Sequence, residues 1–328
     1  MPPEFRACVL NAYPRVGDAP EEQLLRRAIA RHDTGEVSDE DLAKAQELAA
    51  EGAIREQEAA GLDVVTDGQV SWHDPVSHVA RGLGGFEING LLRWFDTNVY
   101  IRQPVAIGPI ARQGPIVAPA VEAAKRVAHR PVKAIVTGPW TLAHHTKLGN
   151  GGDEEALARS LIPPLADEVR ALAAAGADYI QVDEPSLARA SAVPGIVSEA
   201  LAAFATAKGT ARLGLAVYFG GVPAVLPELL RLPLDFLALD LVQGAETVDA
   251  LVGVRTAKTL LLGLVDARNT RLESPEAIAR QAMRFAGATG SPECFVTTSN
   301  SLEFLPRGTA RRKIEVLARA ARIAGGRA

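Results

Sequence analysis

Asp183 and Glu184 stand side by side at the end of the apolar run Tyr179–Asp183, and Pro185 follows at once. Two carboxylates closing a segment of buried pattern are costly unless they are paired or used. Used, they can anchor a substrate amine or move a proton. Polar residues follow other short apolar runs too. Asn11 and Arg15 come after the first. Asp67, Gln69, Trp72, His73 and Asp74 follow the second. Trp140, His144 and His145 follow the third, and Tyr218 closes the fifth. Asp240 lies at the end of the sixth, Asp266, Arg268 and Asn269 follow the seventh, and Asn300 follows the last. We assign Asp183, Asp240, Tyr218 and His73 to catalysis. Gln69, Asp67, Trp140, Glu184, Asn300, Asn11 and Arg15 are assigned to substrate binding. Plainer roles compete at some of these positions. Asp67 before Gly68 suits a turn, Trp140 suits a barrel plug, and Asp266 suits an ion pair with Arg268 or Arg271. Of the adjacent His144 and His145, at most one faces a pocket.

These residues need a scaffold that gathers strand ends. Eight runs read as strands: 7–11, 62–66, 133–137, 179–183, 213–218, 236–241, 259–265 and 294–299. Helical patterns fill the gaps. Ser38 caps one running to about Ala60, with Gly61 past its end. Asp153 caps a long one ending near Gly176, which Pro163 and Pro164 should kink or break. Ser274-Pro275 opens another, and Arg307–Ile323 is a basic closing helix. Hydrophobic residues make up 48% of the 328 and aromatics only 5%, so the core is aliphatic, as in parallel strands covered on both faces. Strand–helix alternation points to a parallel sheet. The count of eight, with no Gly-x-Gly-x-x-Gly turn, favours an α/β (β/α)₈ TIM barrel over an open sheet, with reacting groups on the loops after the strands. The prediction is one domain over 1–328. The segment Gly82–Ile110 breaks the alternation and reads as an insertion between strands two and three, extended and hairpin-like.

A net charge of -4 with interspersed signs offers no basic face for nucleic acid. Cys8 and Cys294 alone do not make a disulfide framework. No signal-peptide pattern and no run of ~20 apolar residues is present. The expectation is a cytoplasmic protein acting on a small molecule, with no membrane or nucleic-acid partner and with a homodimer as its possible assembly.

Several stretches resemble a known family. They are Gly61-Leu-Asp-Val-Val-Thr-Asp-Gly68, Thr137-Gly-Pro-Trp-Thr141, Ala175 through Pro185 with its Gln-Val-Asp-Glu-Pro ending, Gly263-Leu-Val-Asp-Ala-Arg-Asn269, and Leu302-Glu-Phe-Leu-Pro306. Nearly the whole chain resembles the catalytic domain of cobalamin-independent methionine synthase in its short single-barrel form. The superfamily also holds uroporphyrinogen decarboxylase. The resemblance implies methyl or alkyl transfer to a thiol in methionine biosynthesis, with methyl-folate as a possible donor. It also implies a zinc ion that keeps the thiol deprotonated. The family's zinc is held by His-x-Cys after strand five, a Glu after strand six and a Cys after strand eight. Those positions fall here on Ala216 and Tyr218, Asp240, and Asn300, so no metal ligand set is assigned. The family's amine-binding aspartate matches Asp183. Its Ile-Gly-Ser turn is replaced by Leu10-Asn11-Ala12, and its Gly-Glu by Gly68-Gln69.

The reading that follows is a methyl- or alkyltransferase without the usual zinc and with a diverged acceptor. Asp183 would anchor substrate, Trp140 would stack on a planar donor, and Tyr218, Asp240 or His73 would manage the proton. A rebuilt metal site on His73, His78 and Asp240 is one variant. The alternatives are a metal-free lyase or decarboxylase, with Arg15 or Arg268 binding substrate carboxylates, and a non-catalytic binding barrel.

Overall fold

A computed structural model describes residues 2–149 and 152–327. Its strands are β1 (Glu4–Ala7), β2 (Leu83–Arg93), β3 (Tyr100–Arg112), β4 (Lys133–Thr137), β5 (Tyr179–Asp183), β6 (Arg212–Val217), β7 (Phe236–Asp240), β8 (Thr259–Val265) and β9 (Glu293–Thr298). Seven form one sheet in the order β1-β9-β8-β7-β6-β5-β4, and every pairing in it is parallel. The fold is the (β/α)₈ barrel. Its eighth stave, between β1 and β4, is residues 62–66, and it is thin. Val65 bridges Val132 in parallel, and the Asp63 amide donates to the Ala7 carbonyl on the other side.

Two strand expectations shift, each for a hydrogen-bonding reason. The first strand covers Glu4–Ala7 rather than Ala7–Asn11. Past Cys8 the carbonyls of Val9 and Leu10 accept from the Lys133 ammonium at 2.8 and 2.7 Å, so they leave the ladder. Residues 62–66 make a bridge instead of a full strand because buried Gln57 takes both backbone groups of Thr66. Helix periodicity fares better. Ser38 and Asp41 form a capping box for the helix Asp39–Ala60, and Gly61 closes it at φ 88°. Asp153 caps Glu154–Ala174 and Ser274 caps Pro275–Thr289. Pro163 and Pro164 do not break the helix that contains them. The carbonyls they deprive belong to Arg159 and Ser160, which are exposed and can turn to water.

The strand entrances share one device. Asp63, Asp178 and Asp235 each donate their amide to a neighbouring stave, at Ala7, Val132 and Leu213. Each side chain then accepts the amide of that same neighbour, at 2.8 Å in all three cases. The device matters most at Asp63, where the ladder is thinnest.

The extended segment folds as an antiparallel hairpin of β2 on β3. Its tip crosses the mouth of the barrel, where Arg268 pairs with Asp96 at 2.9 Å. Among the described residues no helix is long and apolar enough to cross a membrane.

Asp63→Ala leaves the buried Ala7 amide without its partner. It should lower stability by about 1–2 kcal/mol, a loss of a few degrees in melting temperature by scanning calorimetry. An unchanged transition would show that this bond does not hold the eighth stave.

Candidate active site

The carboxyl end of the sheet holds a polar floor under an aromatic rim. Asp183 ends β5 and is buried. Its Oδ1 accepts from Gln181 Nε2 at 2.7 Å. Its Oδ2 accepts from Asn11 Nδ2 at 3.1 Å and from the Tyr218 hydroxyl at 3.0 Å. Behind it, Lys133 donates to Gln181 Oε1 at 2.9 Å. Burial pushes the Asp183 carboxyl up to about 6, against the opposing pull of its three donors and Lys133. Asn11 Oδ1 is buried beside it with no protein partner.

Around this floor is a narrow cleft, open on one side. Gln69 and Trp72 line it from the loop after residues 62–66, and Phe219 from the loop after β6. Ser301, Glu303 and Phe304 close it after β9, and Trp94 reaches it from the hairpin tip. Gln69 and Phe219 take positive φ, 51° and 68°. Bulky residues rarely do so, and such strain gathers at functional sites. Asp240 helps hold the Phe219 turn by accepting its amide at 3.2 Å. Trp72 stacks on His78 at 4.4 Å, and its Nε1 is buried with no acceptor.

Of the residues read from sequence, Asp183, Asn11, Tyr218 and Gln69 come together in the cleft. Trp72 and Asp74, read after the second run, line it too; the other residues assigned to catalysis or binding stand outside its lining. Asp240 is buried and accepts three backbone amides, from Phe219, Val242 and Gln243; burial still pushes it up to about 6. Glu184 points away, accepting the Trp140 and Thr141 amides at 3.0 and 2.6 Å. Burial pushes it up to about 7. Asp67 accepts the Gln69 amide, so it is a turn residue. Trp140 is half-buried against His144. His73 is exposed. Arg15 lies 3.7 Å from Glu303. Asn300 is buried and donates to Ser299 Oγ. Asp266 does not pair with an arginine side chain; it accepts the Arg268 amide and the Asn269 side-chain amide. Trp94, Phe304 and Glu303 are missed by sequence reasoning. For Trp94, the adjacent aromatics Trp94-Phe95 before Asp96 at the turn of a hairpin-like insertion are the available signal.

The chain matches the family model described as "Cobalamin-independent synthase, Catalytic domain" over residues 13–322. It belongs to the cobalamin-independent methionine synthase family. It is similar to the methionine synthase of Sulfurisphaera tokodaii, 29% identical over 301 residues, covering 91% of this chain and 88% of that one. The methionine synthase of Saccharolobus solfataricus is 28% identical over 306 residues, covering 91% and 90%. In fold the chain is similar to a B12-independent methionine synthase from a Shewanella species, solved with selenomethionine (TM-score 0.79, 18% identity, 97% of each chain). A putative vitamin-B12 independent methionine synthase from Listeria monocytogenes superposes with a TM-score of 0.73 at 16% identity over 98% of each chain.

At the positions that the resemblance marks for zinc, this family member carries buried Ala216, Tyr218, Asp240 and Asn300. Zinc takes nitrogen, sulfur and carboxylate ligands, and only Asp240 is of that kind. Among the described residues no three His, Cys, Asp or Glu side chains cluster closely enough to share a metal, His73, His78 and Asp240 included. Cys8 sits just past the end of β1 rather than at its start, with Sγ 3.9 Å from Thr297 Oγ1. Cys294 is buried near the entrance of β9.

Glu184→Ala should cost on the order of 3 kcal/mol, because two amides lose a buried acceptor. Glu184→Gln, which keeps one acceptor oxygen, should cost less. Urea unfolding of both checks this. Equal, small losses would mean that Glu184 does not anchor the segment Pro139–His144.

Proposed function

We propose that this protein is a methyl- or alkyltransferase that seats the ammonium of its substrate on Asp183 and works on a diverged acceptor without the family's zinc. The observation that carries the reading is the floor. A carboxylate offers about four acceptor positions. Asp183 has three filled by fixed neutral donors, and the orphan Asn11 Oδ1 stands beside it. An ammonium donates several hydrogen bonds and would satisfy both groups. Tyr218 and Gln181 orient the carboxylate and do not compete as cations.

The loss of the metal-bound thiolate is supported by what the replacing side chains do. The Tyr218 hydroxyl donates to Asp183, and both Asp240 oxygens hold backbone amides. Alkyl transfer moves the carbon without its bonding electrons, which stay on the donor, while the acceptor supplies the new pair and gives up its proton, which the donor atom left with the pair takes up. Methyl-folate is the donor that family membership suggests. The lyase reading needs cations to hold substrate carboxylates. Arg15 is drawn to Glu303 and Arg268 to Asp96, and neither lines the cleft.

The test is methyl transfer from methyl-folate to a panel of thiols and amino-bearing acceptors, before and after exhaustive chelation. Turnover should survive chelation. No turnover with any acceptor would sink the transferase, and loss rescued by zinc would sink the metal-free form of it. The pH dependence has a definite sign. The charged form of Asp183 is held back by burial, so it binds an ammonium above about pH 6. Below that, kcat/KM should fall about 10-fold per pH unit. Asp183→Asn should lower kcat/KM on the order of 10²-fold and abolish that acid limb. A variant that keeps both rate and limb would remove Asp183 from the mechanism.

A further inference from the structure

We propose that the cleft takes a small organic cation with a methylated onium head, the chemistry shared by quaternary ammonium and sulfonium compounds. This rests on reading the cleft as the substrate site and adds the class of molecule that fills it. The first ground is charge. The lining carries three carboxylates, Asp74, Asp183 and Glu303, and no lysine, arginine or histidine. The nearby cations stand behind the acids. Arg102 comes within 3.9 Å of Asp74, Arg15 lies 3.7 Å from Glu303, and Lys133 reaches Asp183 only through Gln181. An anion entering the cleft meets no contact cation.

The second ground is the rim. Trp72, Trp94, Tyr218, Phe219 and Phe304 all line the same cleft. Phe219 packs against three of the others, 4.8 Å from Tyr218, 6.3 Å from Trp94 and 6.4 Å from Phe304 by ring centroids. Aromatic faces attract a cation through their quadrupole, and cages of rings are how proteins recognise methylated onium heads. Such a head has no N–H to satisfy, so it needs rings and diffuse negative charge rather than placed acceptors. The two buried orphans, Asn11 Oδ1 and Trp72 Nε1, then mark where the ligand's hydrogen-bonding end belongs. Those two atoms ask for one donor and one acceptor, which a hydroxyl or an amino acid end supplies.

The experiment is calorimetric titration of the full chain with choline and with 3,3-dimethylbutan-1-ol, its neutral isostere, in which carbon replaces the charged nitrogen. Choline should bind at least about 10-fold more tightly. Trimethylsulfonium and tetramethylammonium, titrated in parallel, separate the two sources of the head. Trp94→Leu and Phe304→Leu should each weaken choline several-fold with little effect on the isostere, and melting curves establish that they fold. Equal binding of choline and its isostere would reduce the cleft to an apolar hole and overturn the proposal. Binding of neither would overturn it as well. The transferase reading fails separately: methyl-folate turnover without onium binding would keep the transferase and discard the onium head, and onium binding without turnover with any acceptor would do the reverse.

Discussion

A carboxylate at the floor of an aliphatic barrel must be held by donors that cannot leave. Asp183 meets that demand through a chain that begins at Lys133. The three donors of this ammonium go to Val9 O, Leu10 O and Gln181 Oε1. Gln181 then turns its amide to Leu10 O and Asp183 Oδ1. One buried cation therefore fixes two things at once. It bends the chain off the end of β1, which brings Asn11 over the floor, and it sets the amide that orients the carboxylate. The two charges are separated by an amide rather than paired directly. Asp183 keeps an open acceptor position, which a direct lysine contact would occupy.

The other buried acids show the contrast. Asp240 and Glu184 spend their oxygens on backbone amides. Glu168 binds the amides of Ile116, Val117 and Ala118 together with the Arg112 guanidinium. That places the return limb of the hairpin against the helix Glu154–Ala174 and so fixes the hairpin whose tip carries Trp94. An acid bound by backbone amides is structural, because those donors move only with the fold. An acid bound by side chains at a cleft, with an orphan beside it, is arranged for something that arrives. Asp74 is of the first kind although it borders the cleft: it accepts the amides of Val76 and Ser77 and the Ser77 hydroxyl.

This distinction explains what was legible in the sequence. Apolar runs and caps are local signals, so most of the barrel and its helix ends could be read directly. Asp183 could be read because an acid ending a buried strand is conspicuous. Whether its neighbour Glu184 faces the cleft or the backbone of Trp140 is decided by strand alternation and by Gly138, where a Cβ would collide with the Glu184 carboxylate. The thin eighth stave was hidden because Gln57, on a helix, captures Thr66. The rim was hidden for another reason. Trp94 arrives by a long excursion, and it is buried against His145 and Phe219, residues far from it in the chain.

The altered zinc positions fit a rebuilt floor better than a decayed one. Loss of function at a metal site leaves buried polar groups with nothing to bind, and each costs stability. Here Ala216 is apolar and needs no partner, and the Tyr218 hydroxyl is buried and satisfied on Asp183. Tyr218 therefore converts a position the resemblance marks for metal into a donor for the carboxylate. Its ring also joins the aromatic rim against Phe219. Only Asn300 Oδ1 lacks a partner among these positions, and Asn300 lies outside the cleft lining. Tyr218 thus ties both halves of the cleft to one substitution: it holds the charge below and supplies a ring above. In the function proposed above, a position that the resemblance marks for a sulfur ligand instead completes these two contacts, and the group it serves is a bound cation.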